Sequence, residues 1–455
     1  MKLKLKTLAA LIAIGITAQS QAASNIYPVG SNLGYGDASN KNTIFQISAN
    51  PAWVSSNLQN TNDYGVGITF GGTIQQKGAD KVINDYKNNV DPILQKMNNN
   101  SSGTGQALTL AEDIKRVVNN LVLSTRDNFH IQATGAFSLP LQISHNSFGG
   151  IGLEISGLAQ GREQLLSSNR PIDIDTNYLL TNLGATTQDI VDNGLIIQSA
   201  FYIKTALYNE AALTYGNLLY ENELGVLSIG LRAKLMQAKL RKSIIDLGKL
   251  LKSGNSAGQQ AFDDIRNTLG GGNFESAVGV DIGASWINPH WQVGLQVQNL
   301  NTPTLNYNVL GVGTSDQAYI EQFYASQISL QEKVKLKPQT KIEGAIYTEN
   351  KHWVLAASYD FNESVDLLNN PYQWATISAS YSSSASGDSW WYALIPDVRI
   401  GYRANMTGDN QRFITPGLSW GPLNLDIAFQ SFNFNFGPDN IPEGFAFNLG
   451  LELQF

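Results

Sequence analysis

Few residues in this chain are spaced for chemistry, and each candidate has a competing structural explanation. Gly417-Leu418-Ser419-Trp420-Gly421 fits the G-x-S-x-G pattern that exposes a serine nucleophile. That chemistry needs a sharp strand-to-helix turn. Here Pro422 and another alternating stretch follow, which predicts a hairpin. The four histidines, His130, His145, His290 and His352, are scattered, and no pair has metal-ligand spacing. Asp173, Asp175 and Asn177 imitate the opening of a calcium loop, but Tyr178 stands where glycine is required and Gly184 where glutamate is required. The chain is therefore expected to be no enzyme and to need no metal or cofactor. Five charged residues remain: Arg232, Lys234, Arg399, Arg403 and Glu452. The four basic ones could line a path for an anionic or amphipathic solute. Alternatively they neutralise acids on the same face, such as Asp281, Asp360, Asp426 and Glu452. Unpaired charge in a narrow interior is costly, which favours pairing.

The segments that carry these residues alternate. In the last one, Phe445, Phe447, Leu449, Leu451, Leu453 and Phe455 share one face, while Ala446, Asn448, Gly450, Glu452 and Gln454 share the other. Successive side chains of a strand point to opposite faces, so this is a strand with one apolar and one small or polar side. The pattern recurs at Val278, Val280, Ile282, Ala284 and Trp286, at Trp291, Val293, Leu295 and Val297, and at Leu423, Leu425, Ile427 and Phe429. A soluble sandwich would expose its polar faces and fill them with Lys and Glu. Here they are mostly Gly, Asn, Gln, Ser and Ala, as in a membrane barrel whose apolar faces meet lipid. Tyr64, Trp286, Trp291, Trp353, Trp374, Trp420 and Phe455 lie near segment ends and are read as interfacial girdles.

Composition agrees. Charged residues are 15% of 455, against about a quarter in soluble chains. There is no cysteine, which excludes disulfides, a lipoprotein anchor and thiol chemistry. Lys2, Lys4 and Lys6, the apolar run Leu8 to Ile16, and Ser20-Gln21-Ala22 read as a signal peptide over 1–22, exported by the Sec pathway and cleaved before Ala23. Cleavage leaves 27 basic against 37 acidic residues, an acidic balance that argues against nucleic acid as a partner. No later run approaches the ~20 apolar residues of a spanning helix, so entry into a membrane must be by strands.

The alternation predicts strands near 64–72, 128–139, 148–157, 197–219, 224–240, 277–287, 291–300, 339–348, 352–361, 374–382, 397–405, 412–420, 422–434 and 444–455. Turns at His145, Glu221, Pro289, Asn350 and Gly421 are short, and those at 73–127, 158–196, 241–276 and 301–338 are long. Membrane barrels alternate short periplasmic turns with long outer loops. That parity holds only if 197–219 is one strand, which selects fourteen strands over fifteen. The turn at 383–396 is the misfit, long where a short one is expected. Helical spacing marks 106–123 and 244–269 in the outer loops. The expected domains are the signal peptide, an N-terminal segment over 23–63 that hangs in the periplasm or folds inward as a plug, and a barrel over 64–455.

These features resemble the long-chain fatty-acid channel (FadL-like) barrels. The resemblance rests on Gly34-Tyr35-Gly36-Asp37-Ala38, on Asn50-Pro51-Ala52, and on fourteen strands with an aromatic end. Within that superfamily the chain is most similar to the conjugal-transfer TraF-like outer-membrane barrels. The motifs are Asp63-Tyr64-Gly65-Val66-Gly67, Val297-Gln298-Asn299-Leu300 and Val398-Arg399-Ile400-Gly401-Tyr402-Arg403. The resemblance implies a 14-stranded antiparallel transmembrane β-barrel in the outer membrane of a Gram-negative cell, with Asn50, Pro51 and Ala52 in a plug. Its partners would be outer-membrane lipid and lipopolysaccharide, the barrel-assembly machinery acting on Phe455, and a small hydrophobic solute. Two functions are expected from it: a passive channel for small hydrophobic or amphipathic solutes, or a surface component of a conjugation apparatus.

Overall fold

The computed structural model describes residues 32–35, 38, 43–59, 64–90, 92, 104–125, 129–145, 148–182, 189, 193–246, 272–310, 323–324, 326–382, 395–430 and 443–455. The segment read as a signal peptide and the stretch 247–269 lie outside these residues. Among the described residues eighteen strands occur in chain order. They are β1 (Tyr64–Lys77), β2 (His130–His145), β3 (Gly149–Ile174), β4 (Leu195–Asn222), β5 (Gly225–Asp246), β6 (Glu275–Ile287), β7 (Trp291–Gln298), β8 (Thr304–Asn306) and β9 (Lys333–Lys335). They continue with β10 (Gln339–Tyr347), β11 (Trp353–Asp360), β12 (Ser364–Val365), β13 (Pro371–Tyr372), β14 (Trp374–Tyr381), β15 (Asp397–Asn405), β16 (Arg412–Trp420), β17 (Leu423–Phe429) and β18 (Gly444–Gln454).

Fourteen of these close into an antiparallel barrel, each paired with its neighbour in the sequence order of the barrel strands. The seam joins β1 to β18, with Gly65 opposite Gln454 and Gln75 opposite Gly444. Tyr64 and Phe455 exchange reciprocal backbone hydrogen bonds at its end, 3.2 and 2.8 Å long. The remaining four strands form two small hairpins, β8–β9 and β12–β13, apart from the wall. The odd-numbered residues of β18 from Phe447 to Leu453 are exposed on the outside, while Asn448 faces in and is fully buried. The apolar exterior, with Leu153, Leu213, Leu231, Val278, Ile377 and Ile400 all exposed, is the lipid face that alternation predicts.

β4 runs unbroken through Asn209, which is why fourteen strands and not fifteen close the barrel. The expected loops at 158–196 and 241–276 are shorter than predicted, because β3, β4 and β5 run 26, 28 and 22 residues. A tilted spanning strand needs about 9–11. The surplus projects beyond the bilayer at the long-loop end, and Ile244 and Ile245, expected in a helix, belong to β5. The alternation fades there because protein covers both faces. On the outside, a helix over Thr104–Thr125 packs Val118 and Val122 against Phe129, Leu165, Phe201 and Ile245. On the inside, Leu166, Ala200 and Tyr202 meet Leu310 and Tyr324. Asn119 fastens the helix through two hydrogen bonds to the backbone of Ile172.

Candidate functional site in the filled lumen

The inward face at the short-turn end is rich in glycine, and the space so created is occupied. Two short 3-10 helices, Ile44–Ser48 and Pro51–Gln59, lie inside the barrel, and Ile44, Phe45, Ile47, Asn50, Ala52, Trp53 and Val54 are all buried. A Cβ on Gly230 would lie 2.3 Å from the backbone of Pro51, and one on Gly150 would lie 2.2 Å from Val54 O. Gly283 and Gly294 approach the Asn50 side chain in the same way. The small-residue lumen that the sequence suggests as room for a solute is thus, at this level, room for the chain's own N-terminal segment.

Polar groups of that segment are met by inward charges of the wall. Asn50 Oδ1 accepts from Ala52 N at 3.0 Å, fixing the turn before the helix. Asn50 Nδ2 donates to Glu343 Oε1 at 3.2 Å, and Trp53 Nε1 donates to the same oxygen at 2.5 Å. Ser48 Oγ donates to Glu154 at 2.7 Å. Ile44 N and Thr43 Oγ1 both donate to Glu452, at 2.6 and 2.7 Å. Val54 O accepts from Gln142 and Ser144. Buried backbone groups at helix ends require such partners.

All five expected lumen residues face inward. Arg232 is fully buried, with Nη2 2.7 Å from both Glu154 and Glu210, and its Nη1 donates to Ile47 O at 3.2 Å. Lys234 pairs with Asp281 at 2.7 Å. Arg399 pairs with Asp426 at 2.6 Å. Arg403 stacks 3.7 Å from the centre of the Trp374 ring. Asp360 accepts from Gln339 and from Trp374 N. Trp374 therefore departs from the expected girdle: it is in phase with the inward Thr376, Ser378 and Ser380, and it packs on Phe413 inside the barrel. Sequence reasoning missed Glu154, Glu210 and Glu343. The available signal was an ionisable residue within an alternating membrane strand, which by default marks an interior function.

The outer half of the lumen is also partly filled. The β8–β9 hairpin and the β12–β13 loop fold inward. Leu305, Tyr307, Val334, Leu367 and Leu368 are buried in one apolar cluster with Leu33, Ile44 and Phe45 of the inner segment and with Leu158, Ala206, Met236 and Leu240 of the wall. Tyr307 OH donates to Leu367 O at 2.7 Å, joining the two loops. Glu332 beside the hairpin accepts from Lys204, Tyr202 and Asn369. Burial alone would push its carboxyl up. The Lys204 charge and hydrogen bond, with Asn369 and Lys242, outweigh that and hold it below the usual carboxylate range.

Other candidates acquire structural roles. Ser419 sits at a β16–β17 hairpin and contacts Arg399 and Asn424. Asp173 pairs with Lys115 at 2.7 Å, and Asp175 caps the short helix Thr176–Thr181 through Asn177 N and Tyr178 N.

A family model described as "F plasmid transfer operon, TraF, protein" matches residues 47–360, more than two thirds of the chain. No curated protein matches. Among solved structures, the Pseudomonas putida toluene transporter TodX overlaps 96% of this chain and 99% of its own, at 11% identity and a TM-score of 0.45. The Ralstonia pickettii toluene transporter TbuX overlaps 96% and 99%, at 8% identity and 0.40. A Pseudomonas aeruginosa FadL homologue overlaps 96% and 100%, at 11% and 0.33. Superpositions this loose carry no solute across to the present chain.

Proposed function

The chain belongs to the family described as F plasmid transfer operon TraF protein, and on that premise we propose that it is a passive outer-membrane channel for small hydrophobic or amphipathic solutes, closed by its own 23–63 segment. The carrying observation is the apolar cluster inside the barrel. A water-filled diffusion pore lines its lumen with polar groups. Here apolar side chains extend from Phe45 near the short-turn end to Leu305, Tyr307 and Leu367 of the inward loops. A small solute that buries about 150 Å² of apolar surface there gains roughly 4 kcal/mol, enough for weak reversible occupancy. Passage requires the inner segment and the inward loops to yield. Asn50, Pro51 and Ala52 then act as the plug's anchor, held through Glu343 and the wall glycines.

Deleting residues 24–60 tests the gate. In liposomes the deletion should raise conductance and the uptake of an apolar solute. If both stay at the wild-type level, the gating role is refuted.

A second reading has its own observation. β3, β4 and β5 stand well beyond the bilayer and carry a docked helix, a platform suited to a surface component of a conjugation apparatus, consistent with the family's description. Loss of mating efficiency with solute uptake intact would favour this reading over the channel.

A further inference from the structure

Beside the apolar cluster, at the long-loop end of the lumen, lies a cavity of about 350 Å³ between the β12–β13 loop and the inward faces of β1 to β4. Its wall is unlike the cluster: Gln75, Gln132, Gln160, Gln164, Asn369 and Asn370 give it a lining of neutral amides. Its charges are matched in number and already engaged. Arg162 lies 3.9 Å from Asp409 and donates to Asn370. Lys204 pairs with Glu332 and donates to Leu368 O. Asp366 accepts from Leu368 N and from both nitrogens of Asn370. Asp409 also meets Lys77 and His130.

Three buried polar atoms of the same wall lack a hydrogen-bond partner among the described residues: Gln160 Oε1, Thr73 Oγ1 and Arg162 Nε. Gln160 is 4% exposed and Thr73 9%. Buried polar groups left unmatched are costly. The set comprises one acceptor, one N–H donor and one hydroxyl that can do either. A carboxylate could answer the donor but not the acceptor, and an ammonium the reverse. Hydroxyl groups answer both. Leu368 and Trp374, which border the apolar cluster, also line the cavity and offer an apolar surface to whatever the hydroxyl-bearing group is attached to.

We propose that this cavity binds the uncharged, hydroxyl-rich head of an amphipathic molecule, such as a sugar carried on an apolar tail, with the head on Gln160, Thr73 and Arg162 and the tail on Leu368 and Trp374. The site rests on the channel reading and deepens it, since it names the class of amphipathic solute.

The test is equilibrium dialysis of radiolabelled butyl glucoside and of hexanoate against the full-length protein in lipid nanodiscs. Butyl glucoside should bind at least tenfold more tightly than hexanoate. Gln160→Leu and the near-isosteric Thr73→Val should each weaken it about three- to tenfold, the worth of one hydrogen bond, and leave hexanoate binding unchanged. Equal binding of the two heads overturns the proposal, as does full glucoside affinity in both variants. Purified lipopolysaccharide as competitor separates the sources of such a head. Displacement supports the site with a lipid-borne sugar, and no displacement supports it with a free solute. Uptake of an apolar solute into liposomes reports separately on the channel: uptake without glucoside binding refutes the site alone, and binding without uptake of any solute refutes the channel alone.

Discussion

Replacing Arg232 with Met asks whether the lumen is dry or wet. Arg232 has no exposed surface, and its Nη2 lies 2.7 Å from both Glu154 and Glu210. The Met side chain keeps the apolar stem and removes the charge. Glu154 would retain donors in Ser48 and Ser138, and Glu210 would retain Tyr208, but neither carboxylate would retain this counter-charge. Breaking a buried pair from one side costs about 3–5 kcal/mol. The expected result of urea unfolding in lipid vesicles, followed by tryptophan fluorescence, is a loss of that size. Adding Glu154→Gln and Glu210→Gln to Arg232→Met should recover most of it, because the loss comes from the uncompensated buried carboxylates and the amides carry no charge. A loss below about 1 kcal/mol, typical of solvent-exposed pairs, would mean that bulk water reaches Arg232 and would refute the filled lumen. A triple variant as unstable as Arg232→Met alone would refute the pairing argument.

Three other outcomes follow from the same geometry. Gly230→Val should expel the inner segment, since its Cβ would lie 2.3 Å from Pro51 backbone atoms that cannot swing away. Planar-bilayer conductance should rise while the heat-modifiable barrel persists, and Gly161→Ala, whose Cβ meets open space, should change nothing. Deleting Phe455 removes the reciprocal backbone pair with Tyr64, worth about 1–3 kcal/mol in purified protein. The folded yield in cells should fall much further than refolding into detergent does, and equal falls would count against a role for Phe455 in assembly. Glu332 has a folded pKa below its unfolded value, so its contribution is present above the ordinary carboxylate range of about 4.3 and is lost as the pH falls through the folded value. Asp366 titrates in the opposite sense: burial raises it, against hydrogen bonds from Asn370 and Leu368 N. The stability difference between wild type and Glu332→Gln isolates the first effect. It should be present at pH 7 and vanish in acid, and a difference that grew on acidification would reverse the assignment.

The sequence was most legible where one face of a strand meets lipid. For β14, β15, β16 and β18 the strand bounds agree to within a residue, because every second side chain had to be apolar and a one-residue slip would turn polar groups into the membrane; the far end of the strand expected over 422–434 lies outside the described residues. Above the bilayer that requirement lapses. β3, β4 and β5 continue under a helix and inward loops, and their length was not readable from Gly157-Leu158-Ala159-Gln160-Gly161. The inward register of Arg232, Lys234, Arg399, Arg403 and Glu452 was readable from alternation alone. Their partners were only partly so. Asp281 and Asp426 were named, whereas Glu154 and Glu210, paired with Arg232 across two strand boundaries, were not.

What the sequence alone determined was therefore local and periodic: an alternating wall of fourteen strands, its lipid face, and the parity of its loops. What fills the wall was decided only in three dimensions. Gly230 and Pro51 lie 179 positions apart in the chain, and nothing periodic links them. The glycine leaves a gap and the N-terminal segment occupies it. The same holds for Tyr307 and Leu367, which meet in the outer half from two separate loops. Periodicity constrains which way a side chain points, because that follows from backbone geometry. It carries no information about which distant segment will arrive to meet it, and in this protein that distant segment is what occupies the inner part of the lumen.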